Sequence, residues 1–173
     1  MKVKEIQEVI IDRYLFYESL NPKLVGDYLR SNFSESNKRS VKGQHTSYDT
    51  SSENIKKIYQ WVIDILYSKY AYLMVEKLYP EACWFCGYGV GDYSFTHAHI
   101  PRTYSFVYFV QCPRGSSPLV FTTSGKKVKA EEGKVVIFPA NIWHHVPKNK
   151  CEDRITLIGN IGVREVRLTY DLS

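Results

Sequence analysis

The sequence predicts a mainly β domain of the α+β class, an antiparallel sandwich or barrel with helices packed on one of its sheets. Three observations carry that expectation. The second half of the chain breaks into short runs rich in valine, isoleucine and aromatics, punctuated by Gly, Pro and Lys, which is the texture of strands joined by tight turns. No helical pattern alternates with those runs, so nothing is available to cross over between parallel strands. Helical signals are confined to the first half, and an amphipathic helix needs a sheet or another helix to cover its apolar face.

The elements follow in order. Asn21 followed by Pro22 reads as a helix start, a capping side chain and then the position where proline costs nothing, opening a helix to about Leu29. Residues 34–50 are polar and loop-like. Thr50 and Glu53 form a capping-box pattern ahead of Ile55, Ile58, Val62 and Ile65, whose spacing predicts a long amphipathic helix. It should run to about Tyr79, where Pro80 ends it, with Ser68 as a candidate break. From Cys83 onward TYSFVYFVQ, PLVFT, KVVIFP, RITLIGN and EVRLTYD read as strands, and PRGSS, TSGKK and EEG as the turns between them. At 173 residues the expected organisation is one domain, with 1–80 a mainly helical support and 81–173 a strand-rich core.

Composition narrows the partners. An apolar fraction of 44% with 24% charged residues describes an ordered chain. A net charge of +5 attracts anionic small molecules, acidic peptides or nucleic acid without choosing among them, and the lysine knots at Lys126, Lys127 and Lys129 and at Lys148 and Lys150 read as solvated faces. No apolar run approaches the roughly 18 residues that span a membrane, and the start MKVKEIQEVIIDRY has no signal-peptide pattern. The expectation is a cytoplasmic protein without a membrane partner. Cys83 and Cys86 form a CxxC that Cys112 and Cys151 do not complete, so all four read as small apolar residues.

The chemistry lies in the histidines. His97 and His99, in SFTHAHIP, are two apart, so on an extended strand both point to one face and can reach one ion. His144 follows the strand KVVIF as a third imidazole from elsewhere in the chain. Two ligands from one segment and a third from another build a facial metal site with open positions.

Two families share this arrangement. As a cupin, GDYSFTHAH fits G-x5-HxH and GKVVIFPANIWH fits the second cupin motif, with Asn141 where glycine is usual; the glutamate that follows HxH in cupins is absent from IPRTYSF. More of the chain resembles the iron(II) and 2-oxoglutarate dependent oxygenases of the prolyl 4-hydroxylase-like group. YGVGDYSFTHAH resembles the Y-x-x-G stretch leading into their HxD iron motif, TYSFVYFVQCPRGSSPLVF resembles the next strand and turn, and EEGKVVIFPANIWHHVPKNKCEDRITLIGNI resembles their end motif. The match covers roughly residues 84 to 162 and is nearest to the small members often encoded by phages, which would work in the host cytoplasm.

The resemblance implies a double-stranded β-helix, or jelly roll, with N-terminal helices packed on one sheet. It implies Fe(II) held by His97, His99 and His144, since the family's distal ligand follows FP-x-x-x-W and so falls on His144 rather than His145. It implies 2-oxoglutarate as cosubstrate, anchored by Arg154, ten residues past His144, with Tyr88 as a second contact. A guanidinium suits that task because two parallel hydrogen bonds fix a carboxylate in place and orientation. Dioxygen and an unidentified prime substrate complete the implied reaction, a hydroxylation coupled to conversion of 2-oxoglutarate to succinate. Two departures stand out. His99 occupies the position of the family's aspartate or glutamate, and Phe109 stands where related enzymes often carry tyrosine. The first keeps two alternatives open: a cupin-like three-histidine metalloenzyme that does not use 2-oxoglutarate, and a non-catalytic jelly-roll binding module.

Overall fold

The computed structural model of the protein describes residues 9–33, 40–49, 51–70 and 76–165. They form two helices and three antiparallel sheets. The helices are α1 (Tyr17–Arg30) and α2 (Glu53–Lys69). The strands are β1 (Ile10–Arg13), β2 (Val41–Lys42), β3 (Gln44–His45), β4 (Glu76–Tyr88), β5 (Tyr93–Ser94), β6 (Tyr104–Gln111), β7 (Leu119–Phe121), β8 (Lys127–Val128), β9 (Lys134–Pro139), β10 (His144–His145) and β11 (Arg154–Glu165). The largest sheet has the order β1, β9, β6, β11, β4, β3; β10, β7 and β8 make a second, and β2 and β5 a third.

Side-chain alternation divides the interior in two. On β6, Phe106, Tyr108 and Val110 face the helices, where they meet Leu20 and Leu24 of α1 and Ile58, Val62 and Leu66 of α2. Val107 and Phe109 point the other way, toward Leu119 and Phe121 of the second sheet. The helices therefore cover one face of the large sheet, as their apolar stripes require. Each fully buried leucine or isoleucine in that layer stabilises by about 1.5 to 3 kcal/mol. The other face looks toward the small sheets, and the histidines lie there.

Several boundaries differ from the sequence expectation. α1 begins before Asn21, so Pro22 sits inside the helix. Asn21 is taken into the core rather than used as a cap: its Nδ2 donates to Val110 O at 2.6 Å and its Oδ1 accepts from Tyr108 Oη at 2.6 Å. α2 is capped by Ser52, whose side chain accepts from Asn54 N; Thr50, the expected cap, lies outside the described residues. That helix ends at Lys69, beside the candidate break at Ser68, and Pro80 falls within β4 instead of closing a helix. Proline is tolerated there because, among the described residues, β3 pairs β4 only at Cys86 and Gly87, so Pro80 has a strand neighbour on one side alone, opposite Ile161 at a register shift in β11. The polar stretch 34–50 contains the short strands β2 and β3. RITLIGN continues to Glu165 as one strand, and 166–171 of EVRLTYD lie outside the described residues. KVVIFP is β9 as expected, entered from EEG through Gly133 at φ +80°, a left-handed turn position.

Cys83 and Cys86 are three apart on β4 and so face opposite sides. Cys83 belongs to the core under the helices and Cys86 to the second core. None of the four cysteines forms a disulfide. Among the described residues no helix is long and apolar enough to cross a membrane.

Candidate metal centre

His97 and His144 pair as an isolated antiparallel bridge, exchanging backbone hydrogen bonds of 3.0 and 2.9 Å. His99 N donates to Ala140 O at 2.7 Å, which ties the same segment to the end of β9. These bonds clamp two loops against each other and set three imidazoles side by side. One ring nitrogen from each lies within 4.8 Å of the others, and Nε2 of His99 is 3.3 Å from Nε2 of His144. No other cluster of His, Cys, Asp or Glu with such spacing occurs among the described residues.

The second nitrogens are occupied. Nδ1 of His97 bonds Phe95 O at 2.7 Å, and Nδ1 of His144 bonds Ile142 O at 2.9 Å. A carbonyl only accepts, so Nδ1 carries the proton and Nε2 offers its lone pair to the shared space. Burial reinforces this. Desolvation, with the neighbouring imidazoles adding repulsion, lowers His99 to about 4 and His144 to about 3, and burial lowers His97 as well. Three neutral, inward-facing donors result, the form a divalent transition metal binds. His145 stands apart from the cluster; its Nδ1 lies 3.1 Å from Thr122 Oγ1.

A cavity of about 570 Å³ opens beside the three rings. Its wall includes Arg154 and Tyr88, which face each other across the β11/β4 pair. Arg154 is 0% exposed. Nε donates to Ser117 O at 3.1 Å, while Nη1 and Nη2 have no hydrogen-bond partner. The guanidinium rests on the Tyr88 ring, 4.7 Å from its centroid, with Phe109 at 5.7 Å. Asn149 braces this end: its Oδ1 accepts from Ser117 N at 2.9 Å and its Nδ2 donates to Tyr88 O at 3.2 Å. A buried cation with two unused donors is a receptor for an anion, and a carboxylate fits its fork.

Solved structures with the same architecture were found at low sequence identity. The viral collagen prolyl hydroxylase of Paramecium Bursaria Chlorella virus-1, in its 2OG complex, aligns over 91% of this chain and 96% of its own with a TM-score of 0.72 and 17% identity. The chain has the fold of a prolyl 4-hydroxylase-like 2OG-Fe(II) oxygenase. A prolyl-4-hydroxylase of Pseudomonas putida covers 92% and 94% at TM-score 0.68 and 19% identity. HygX from Streptomyces hygroscopicus, with nickel, 2-oxoglutarate and hygromycin B bound, covers 90% and 83% at TM-score 0.65 and 11% identity. No family model and no curated protein matches the sequence.

The structure brings together the five candidate site residues: His97, His99 and His144 as a cluster, and Arg154 and Tyr88 on the wall of the same cavity. Sequence reasoning missed Ser117 and Asn149, which orient Arg154, and Trp84 and Asn160, which touch His99. It also missed Arg102 and Glu81, an ion pair of 2.7 Å on the cavity wall. Only Asn160 left a signal, as a polar residue in register with Arg154 and Thr156 along an apolar strand.

Proposed function

We propose that the protein is an iron(II)- and 2-oxoglutarate-dependent oxygenase, a hydroxylase built on a double-stranded β-helix. The observation that carries this reading is the buried Arg154, whose two unpartnered Nη groups lie on the same cavity as three neutral imidazoles. A metal cluster alone fits many chemistries; a metal cluster sharing a cavity with an orphaned guanidinium fits a ligand that carries a carboxylate at the end away from the metal.

In this reading His97, His99 and His144 hold iron(II) through Nε2, and the backbone bonds of Nδ1 in His97 and His144 keep those rings from turning. Arg154 takes the far carboxylate of 2-oxoglutarate. Ser117 O fixes the guanidinium through Nε, and the Tyr88 ring supports its face, so the fork meets the carboxylate without reorganising. Phe109, in place of a tyrosine, adds apolar wall and no hydroxyl, which leaves Arg154 as the principal anchor. When bound, iron with 2-oxoglutarate and dioxygen supplies an oxidant that replaces C–H by C–OH on a second substrate. The protein's part is to hold the donors, orient the cosubstrate and exclude bulk water from the inner cavity.

The test is anaerobic titration of the iron(II)-loaded protein with 2-oxoglutarate, watching for the weak visible charge-transfer band of the chelate, followed by succinate measurement in air. A band with succinate supports the oxygenase. His99 itself favours a second reading, a three-imidazole centre that does not use 2-oxoglutarate, and iron that binds at one equivalent without band or succinate would select it.

A further inference from the structure

The three imidazoles are not held alike. His97 and His144 each lean on the carbonyl two residues earlier in the chain, a local device that comes with the loop itself. His99 is held by side chains from distant strands. With Nε2 turned toward His144, its other nitrogen is left over, and the Asn160 side chain is close enough to interact with the ring. Asn160 is 5% exposed, lies at the register shift of β11, and has its Oδ1 fixed by Ser105 Oγ at 2.8 Å. The ring of His99 also lies along the indole of Trp84, centroids 5.6 Å apart and planes 19° from parallel. That indole is itself stacked with His45, at 5.6 Å and 9°, and met edge-on by Tyr48 at 5.4 Å.

These contacts suit an imidazole and nothing shorter. A flat ring can lie along an indole and keep a second nitrogen for a side-chain amide while its first faces a metal. An aspartate at the same place has no ring face to stack and no second ring nitrogen to offer Asn160. We infer that Trp84 and Asn160 are positioning residues for His99, and that they contribute to metal affinity only while position 99 is histidine. The inference rests on the reading of the three histidines as a metal centre. It means that the exchange of a carboxylate for His99 is matched by its surroundings, so that this is a built three-nitrogen site.

The test uses the full chain and cobalt(II) as probe, titrated under the visible absorption that reports its ligand field. Asn160→Leu and Trp84→Leu should each weaken cobalt about tenfold to a hundredfold, the usual effect of losing a group that orients a ligand, and Asn160→Asp, which keeps an acceptor, should stay within about threefold of the wild type. Placed on a His99→Asp background, neither leucine substitution should weaken cobalt further. Equal losses in Asn160→Asp and Asn160→Leu, no loss in either, or the same loss with aspartate at position 99 would each overturn the inference. If Trp84→Leu does not fold, the Asn160 pair decides alone. A wild type that takes up no cobalt at one equivalent removes the metal reading beneath it, whereas a wild type that binds beside insensitive variants removes only this inference.

Discussion

Arg154→Met should make the ligand-free protein more stable while removing its response to 2-oxoglutarate. The guanidinium is 0% exposed with two nitrogens lacking partners, and each such buried donor costs about 1 to 3 kcal/mol. Against that stand one hydrogen bond to Ser117 O and the contacts with Tyr88 and Phe109, together about 1 to 3 kcal/mol. Methionine loses the hydrogen bond but keeps contact with both rings and leaves no unpaired charge. The balance favours the variant by about 2 kcal/mol, which for 173 residues is about 4 to 8 °C in melting temperature. The assay is thermal melting with redox-inert manganese(II), with and without 2-oxoglutarate. At a hundred times its dissociation constant the cosubstrate should stabilise the wild type by about 2.7 kcal/mol and leave the variant unmoved. A variant that melts lower than wild type without ligand, yet still rises with 2-oxoglutarate, would refute both the orphaned-donor argument and the anchor.

His97→Ala, His99→Ala and His144→Ala should each abolish stoichiometric iron binding, measured by metal analysis after gel filtration, while His145→Ala keeps it; the reverse result for positions 144 and 145 would move the distal ligand. Unfolded imidazoles titrate near 6.5, but folded His99 and His144 titrate near 4 and 3, so between those limits the unfolded chain holds more protons and the metal-free protein loses stability as pH falls. The slope is up to about 1.4 kcal/mol per pH unit for each histidine, and melting in chelator from pH 7 to 5 should show the decline; a flat profile contradicts buried neutral rings. His99→Asp should retain iron, because a carboxylate completes the same facial set, and succinate formed per 2-oxoglutarate consumed compares the two proteins: turnover by the aspartate variant alone means the natural chain performs other chemistry on this scaffold.

The clustering of the three histidines was legible in the sequence, as was the mainly β fold with helices on one sheet. HxH places two rings on one face wherever the backbone is extended, whereas Arg154 was legible only through the resemblance of its spacing from His144 to the family motif, and it is pairing with Tyr88 and Ser117 that sets its place. Even the cavity face of β11 is written in the chain: Arg154, Thr156, Ile158 and Asn160 line the cavity, while Ile155, Leu157 and Ile161 pack under the helices. What failed was local punctuation overruled by tertiary contacts. Asn21-Pro22 has the chemistry of a helix start, but Tyr108 and Val110, far along the chain, draw Asn21 into the core. Pro80 has the chemistry of a helix stop, but among the described residues it lies on a stretch of β4 paired on one side alone, where strands accept proline. Trp84 left no signal at all, because an aromatic in a strand is ordinary and only pairing with His45 and His99 gives it a role.

The departure at His99 changes the electrostatics of the cavity as a whole. In the family pattern a carboxylate ligand offsets one charge of the metal, and the anchoring cation offsets one charge of the cosubstrate. Here the three donors are neutral, so a divalent metal and Arg154 would together place three positive charges on one cavity. The main opposing group would be the dianion of 2-oxoglutarate, since Asp49 is the one further carboxylate on the cavity lining beside the Glu81–Arg102 pair. In a medium of low dielectric that excess favours a doubly charged acid over a singly charged one more strongly than a site with a carboxylate ligand would. The same excess opposes loading the metal first, since Arg154 has no counter-charge until the cosubstrate arrives. Metal and cosubstrate should therefore strengthen each other's binding, and by linkage to the same extent. On the oxygenase reading the centre would be complete only with its second ligand, for which the unpartnered nitrogens of Arg154 offer the donors.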